Sequence, residues 1–216
     1  YNPRSDSAYT TKISRLTNSG EVTGEKQVGG VIGYMQATAT YGGWSPSMIL
    51  YASEFTNTGK VTGETQVGGL VGYGVTNNGG SALRNSSSSG EVAGVAIAGG
   101  LAGQLDRVRI VDCRNTGVKV TASGYDISGS DYRAFLGGYV GYGYQVENCV
   151  NAVDITYESN GAYVGGIAGY LSGGVLISCK NSGRITATQA SFVGGLAGEI
   201  NCPGQLTVGD NQNSGA

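Results

Sequence analysis

The 216-residue chain carries 40 Gly but only 3 Pro, with 13 Lys or Arg, 15 Asp or Glu and no His, for a net charge of −2. Without imidazole, Ser-His-Asp and Cys-His nucleophile pairs, His-ligated zinc and the usual protonation switch near neutral pH are excluded. The charge balance supplies no basic arm for nucleic acid or an anionic membrane, and the few prolines without a Gly-X-Y period exclude collagen.

Apolar residues other than Gly make up 39% of the chain, enough to bury a core, so disorder is not expected. The longest apolar run, residues 92–103, is too short to span a bilayer, and no signal-peptide pattern opens the chain. The chain therefore reads as a mature protein or an excised piece, with no membrane insertion by this segment.

In chain order, residues 12–16 (Lys-Ile-Ser-Arg-Leu) read as a short strand, and residues 1–17 as the end of a preceding coil or an N-terminal cap. Asn18-Ser-Gly-Glu-Val then opens a motif that returns as Asn57-Thr-Gly-Lys-Val, Ser88-Ser-Gly-Glu-Val, Asn115-Thr-Gly-Val-Lys-Val, Asn151-Ala-Val-Asp-Ile, Asn181-Ser-Gly-Arg-Ile and a truncated Asn213-Ser-Gly. Out of phase with it runs Val28-Gly-Gly-Val-Ile-Gly-Tyr34. This segment recurs as Val67-Gly-Gly-Leu-Val-Gly-Tyr73, Ala98-Gly-Gly-Leu-Ala-Gly-Gln104, Leu136-Gly-Gly-Tyr-Val-Gly-Tyr142, Val164-Gly-Gly-Ile-Ala-Gly-Tyr170 and Val193-Gly-Gly-Leu-Ala-Gly-Glu199. A third run precedes the Asn motif, as in Val108-Arg-Ile-Val-Asp-Cys113, Val146-Glu-Asn-Cys149 and Val175-Leu-Ile-Ser-Cys179. Constant cores with uneven spacing mean one coil per repeat and insertions confined to loops. The pattern predicts an all-β fold: a parallel β-helix or β-solenoid of about six coils over residues 18–212, three short strands per coil, and a truncated seventh coil at 213–216. A hairpin array is the competing arrangement; three strands per repeat favour the solenoid, because an odd number returns the chain to the same side.

Stacking at roughly 4.8 Å per coil sets each residue over its counterpart. Asn18, Asn57, Asn115, Asn151 and Asn181 are expected to stack at a turn, their amides bonded along the column and their backbone tolerant of the left-handed region. The Gly two positions on is expected to supply a corner with positive φ, altered where Ser88 and Val153 break the motif. Cys113, Cys149 and Cys179 share an inward slot with Leu16 and Phe55, which predicts a ladder of buried free thiols; one disulfide is the alternative. Cys202 lies outside this register. Both parities of the Gly-Gly strand are apolar, which fits either a bulge or a strand buried on both sides, covered outside by an inserted loop.

The six x-Gly-Gly-[Leu/Val/Ile/Tyr]-x-Gly units, in register with the Asn-Ser/Thr-Gly turns over residues 18–199, resemble the GLUG motif. Those repeats are known from bacterial surface and secreted proteins, including adhesin-like proteins and regions flanking the catalytic parts of immunoglobulin A proteases. The resemblance implies an extracellular or cell-surface location and an adhesion or scaffold role, and brings no catalytic residues. The His-Glu-x-x-His of such proteases is absent, so protease activity does not carry over.

Two insertions interrupt the repeats: residues 35–54, with Tyr41, Trp44, Met48 and Tyr51, and residues 122–135, with Tyr125, Asp126, Asp131, Tyr132 and Arg133. Loops on a rigid scaffold are where repeat proteins place binding residues, so Tyr41, Trp44, Tyr51, Tyr125, Tyr132 and Arg133 are the candidate contacts. The plainer alternative buries Trp44 against the Gly-rich sheet. Asp126 with Asp131, or Asp106 with Asp112, form possible carboxylate pairs for glycoside cleavage or calcium, although solvated turn acids account for them better. The expected function is a non-catalytic adhesion or spacer module of a larger exported bacterial protein. It would bind a host or microbial surface protein or glycan, adjoin further domains of the same polypeptide, and need no metal or cofactor. The alternative is a carbohydrate-active β-helix enzyme using the acids of the second insertion.

Overall fold

The computed structural model describes residues 9–38, 47–124 and 134–215. Among these every regular element is a strand and every strand pairing is parallel, coil on coil, as in a β-solenoid. No helix long and apolar enough to cross a membrane occurs among them.

The runs legible in each repeat resolve into four sheets. The Asn motif divides: its Asn and the residue before it form the Asn sheet, from Thr17–Asn18 to Gln212–Asn213, while the Val or Ile that follows forms a separate sheet, from Val22–Thr23 to Ile185–Ala187. The Gly-Gly run also divides, at its second Gly. Residues before it form the Gly-Gly sheet, from Lys26–Gly29 to Phe192–Gly194, and those after it enter an 11-stranded long sheet. Two rows make up this long sheet: one follows the Gly-Gly corner (Ile32–Ala37, Val71–Thr76, Ala102–Asp106), and the other precedes the Asn motif (Met48–Ser53, Ser81–Arg84, Val108–Val111). Val140–Glu147 and Ala168–Ile177 run through both rows as single strands.

Two hydrophobic columns result. The main one gathers Leu50, Phe55, Leu70, Leu83, Leu101, Leu105, Ile110 and Tyr139 from the long sheet and the corners beside it. The smaller lies between the Val-type and Gly-Gly sheets, around Val61, Val67, Val92, Leu136, Ile155 and Val164.

The glycines explain how one coil encloses two cores. A Cβ on Gly68 would lie 2.1 Å from the Val71 carbonyl oxygen and 2.6 Å from Ala102 Cα, and one on Gly72 would lie 2.3 Å from the Gln27 carbonyl carbon. The Gly-Gly sheet and the returning row therefore touch backbone to backbone, far inside the ~10 Å of ordinary sheet stacking. This corrects the expectation of a covering loop: the outer side of the Gly-Gly strand is covered by its own continuation. Pairing omits the third Gly but keeps the same register on both sides of it, Val71 with Ala102 and Tyr73 with Gln104, so neither strand gains a residue and the break in alternation is a kink repeated in every coil. It turns both Gly72 and Tyr73 away from the main core.

The Asn column forms, but with different corner geometry from the one expected. Asn57, Asn115, Asn151 and Asn181 are buried, and amides bond along the axis, Asn18 to Asn57 at 2.8 Å, Asn151 to Asn181 at 2.7 Å and Asn181 to Asn213 at 2.8 Å. Ser88 interrupts the column with a buried hydroxyl lacking a partner. The left-handed residues are neither these Asn nor the Gly two positions on. At this corner they are Arg15, Glu54, Asn85, Asp112, Asn148, Ser178 and Asp210, each three residues before the column; Gln27, Gln66 and Arg107 are left-handed elsewhere in the coil. Gly59 and Gly90 are required for another reason: an added Cβ would sit 2.0 Å and 1.9 Å from the carbonyl oxygen of the glycine one coil below. Val153, in the Gly position, instead points into the smaller core.

Candidate functional site

The residues most distinctive of a surface role border the glycine contact. Met35, Leu105 and Leu171 point into the main core, and their neighbours Tyr34, Gln104 and Tyr170 point out, as do Tyr73 and Tyr142 at the same level. On the Gly-Gly sheet, Leu136 and Val164 face the smaller core while Phe135, Tyr163 and Phe192 stack in a second outward row. Because the two sheets meet at glycine, the two rows interleave. Phe135 lies 5.6 Å from Tyr142 and 5.5 Å from Tyr170, ring centre to ring centre; Tyr142 stacks on Tyr170 at 4.9 Å and Tyr163 on Phe192 at 4.8 Å. Tyr34 and Phe192 remain 46% and 48% exposed, so the band presents apolar surface at both of its ends.

Where Gln104 interrupts the tyrosines, polar bonds replace ring contacts. Gln66 donates to Gln104 at 2.8 Å, Gln104 donates to Asp106, and the Tyr73 hydroxyl donates to Asp106 at 2.7 Å. Burial, reinforced by that carboxylate, pushes the Tyr73 phenol well above its ordinary pKa, so it remains a donor. Asp106 in turn lines a groove of about 590 Å³. Thr38, Asn77, Arg107, Tyr144, Ser172 and Pro203, from six successive coils, line it together with Val75 and Thr76. The groove therefore runs along the axis. Arg107 holds φ at 58° in a one-residue corner between the two rows of the long sheet.

Of the candidate contacts, Tyr51 is described: it faces outward, 37% exposed, between Lys12 and Ala82 on the other row of the long sheet, apart from the aromatic band. Tyr41, Trp44, Tyr125, Tyr132 and Arg133 lie outside the described residues, as do Asp126 and Asp131. The roots of both insertions are visible. The first leaves at Thr38, on the groove wall, and returns at Ser47, which accepts a hydrogen bond from the Asn78 amide, while the Asn77 side chain accepts from Met48 N–H at 2.9 Å. The second leaves beside Gly124, whose N–H donates to Val95 O at 2.8 Å, and returns one residue before Phe135 of the aromatic band.

Asp106 and Asp112 do not form a carboxylate pair. They flank opposite ends of Val108–Val111, and Asp112 accepts from the Asn148 amide at the left-handed corner. Cys113, Cys149 and Cys179 are free, buried and stacked in the slot of Phe55; burial and the flanking thiols push the Cys149 thiol up, so it is inert. Cys202 is also free and donates to Gln205 O at 3.3 Å. Among the described residues no three Cys, Asp or Glu side chains converge as a metal site.

Compared with known protein families, with characterised proteins and with solved structures, the chain matches none. Functional reasoning therefore rests on the surface itself. The aromatic band was half legible: the recurring Tyr after the third Gly showed one row, whereas the second row, Phe135, Tyr163 and Phe192, falls where earlier coils carry Gln27, Gln66 and Ile97. Only the register across coils reveals it.

Proposed function

We propose that the chain is a non-catalytic module of an exported bacterial protein that holds an adhesive face on a rigid column at the cell surface. One observation carries the reading: two interleaved rows of aromatic side chains face outward next to a polar axial groove, on a scaffold whose strands pair in parallel coil to coil. Aromatic rings with a polar rim suit recognition of a surface protein or glycan. The resemblance of the Gly-Gly repeats to GLUG sequences supports the surface location. The first insertion, carrying Tyr41 and Trp44, is rooted at the groove edge, which places its attachment points beside the same face.

The test is retention of the purified chain on immobilised surface polysaccharides and matrix proteins. The expected outcome is specific retention that Trp44→Ala, or Tyr34→Ala with Phe192→Ala, weakens by about tenfold, the usual cost of losing an aromatic anchor. Absence of retention on every component would leave only the spacer role.

A further inference from the structure

We infer that the axial groove is a binding site for a neutral, linear oligosaccharide lying parallel to the solenoid axis. The inference rests on the adhesive reading above and names its ligand class.

The shape is the first reason. Thr38 to Pro203 spans five inter-coil steps, roughly 24 Å at the parallel-strand spacing, so the groove suits a polymer rather than a compact metabolite. Chemistry is the second. Its lining combines hydroxyls (Thr38, Ser172), a carboxylate (Asp106), a guanidinium (Arg107) and a half-exposed ring (Tyr144). These groups pair with sugar hydroxyls as donors and acceptors, and the ring offers a flat apolar wall. Tyr144 is bedded on Gly173, where an added Cβ would come within 2.6 Å of the ring.

Charge and backbone narrow the class further. Asp106 and Arg107 are adjacent and opposite in sign, so the groove favours neither a polyanion nor a polycation. Two donors, Tyr73 and Gln104, orient the carboxylate. Among the described residues Arg107 makes no ion pair or side-chain hydrogen bond and is exposed, leaving its donors for a ligand. An extended peptide would find no strand edge to pair with, because the strands flanking the groove cross it and are bonded to the coils on either side.

Isothermal titration calorimetry with hexasaccharides of β-1,4-linked glucose, xylose and mannose, an acidic hexasaccharide and an uncharged extended peptide tests this. At least one neutral hexasaccharide is expected to bind, with Arg107→Gly and Tyr144→Ala each weakening it about tenfold or more. Arg107→Gly retains the left-handed corner, so it decides the matter should Tyr144→Ala fail to fold. Binding that survives both groove variants but is lost in Tyr34→Ala with Phe192→Ala would overturn the groove assignment and leave the adhesive reading standing. Preference for the acidic sugar or the peptide, or saccharide silence alongside retention on a surface protein, would overturn the inference in the same way. Silence in both this experiment and the retention assay would remove both.

Discussion

Each glycine of the x-Gly-Gly-x-x-Gly unit answers to a different neighbour. The first meets the returning strand, the second meets the Asn column, as where an added Cβ on Gly166 would lie 2.4 Å from Asn181 Cγ, and the third meets the Gly-Gly strand of its own coil or of the coil below. None of the three is used for a positive φ; among described glycines only Gly161 has one. The requirement is for absent volume. Gly68→Ala should therefore destabilise the chain by about 3 kcal/mol or more, because the atoms met are backbone and cannot rotate away. Gly209→Ala, with open space around its Cβ, should fall within about 0.5 kcal/mol of the parent. Urea unfolding of the two variants checks this, and equal effects would show that the sheets can separate without cost.

At the scale of the element, the corner before each Asn strand is built from a left-handed residue that is not glycine. Seven stacked corners use Arg, Glu, Asn, Asp, Asn, Ser and Asp in turn. Asn and Asp tolerate that conformation, but Glu54 and Arg15 gain nothing from their side chains there. Relief of roughly 1–2 kcal/mol of backbone strain exceeds the entropic cost of glycine, so Glu54→Gly should stabilise by about 0.5–1 kcal/mol. Glu54→Val should destabilise by more than that amount, and a shift of the urea midpoint in the opposite order would contradict the corner assignment. This corner also marks where sequence reading stops. Repetition revealed the solenoid, the Asn column and the thiol slot, because each depends on one residue type recurring at one level. The left-handed corner recurs in backbone but not in residue type, so no pattern announced it. The second aromatic row was hidden in the same way, since Gln27, Gln66 and Ile97 share its column with Phe135, Tyr163 and Phe192. The candidate site was therefore legible as a set of tyrosines and not as a face.

Stacking makes the whole molecule quasi-one-dimensional, so each coil contributes its own contacts and those with its neighbours. Coil three is the irregular member: Ser88 breaks the Asn column, Gln104 breaks the tyrosine row, and Ser86 occupies the slot filled by Phe55 and Cys113 on either side. Deleting residues 88–114 joins Ser87 to Asn115 at the same level of the Asn sheet, since Ser87 pairs with Arg114 in the intact chain. Asn57 would then stack on Asn115, and Tyr73 on Tyr142. The shortened chain should keep a β-type circular dichroism spectrum and one cooperative urea transition, with a midpoint no more than slightly below the parent. Deleting residues 102–114 instead removes half a coil and leaves no register in which the sheets can pair, so its cooperative transition should vanish. The register-preserving deletion of residues 88–114 separates scaffold from site. It removes Asp106 and Arg107 and shortens the groove by about one 4.8 Å step, so oligosaccharide affinity should fall at least as far as in Arg107→Gly while retention on a surface protein through the aromatic band persists. Loss of both activities in a chain that still unfolds cooperatively would mean that band and groove act as one site.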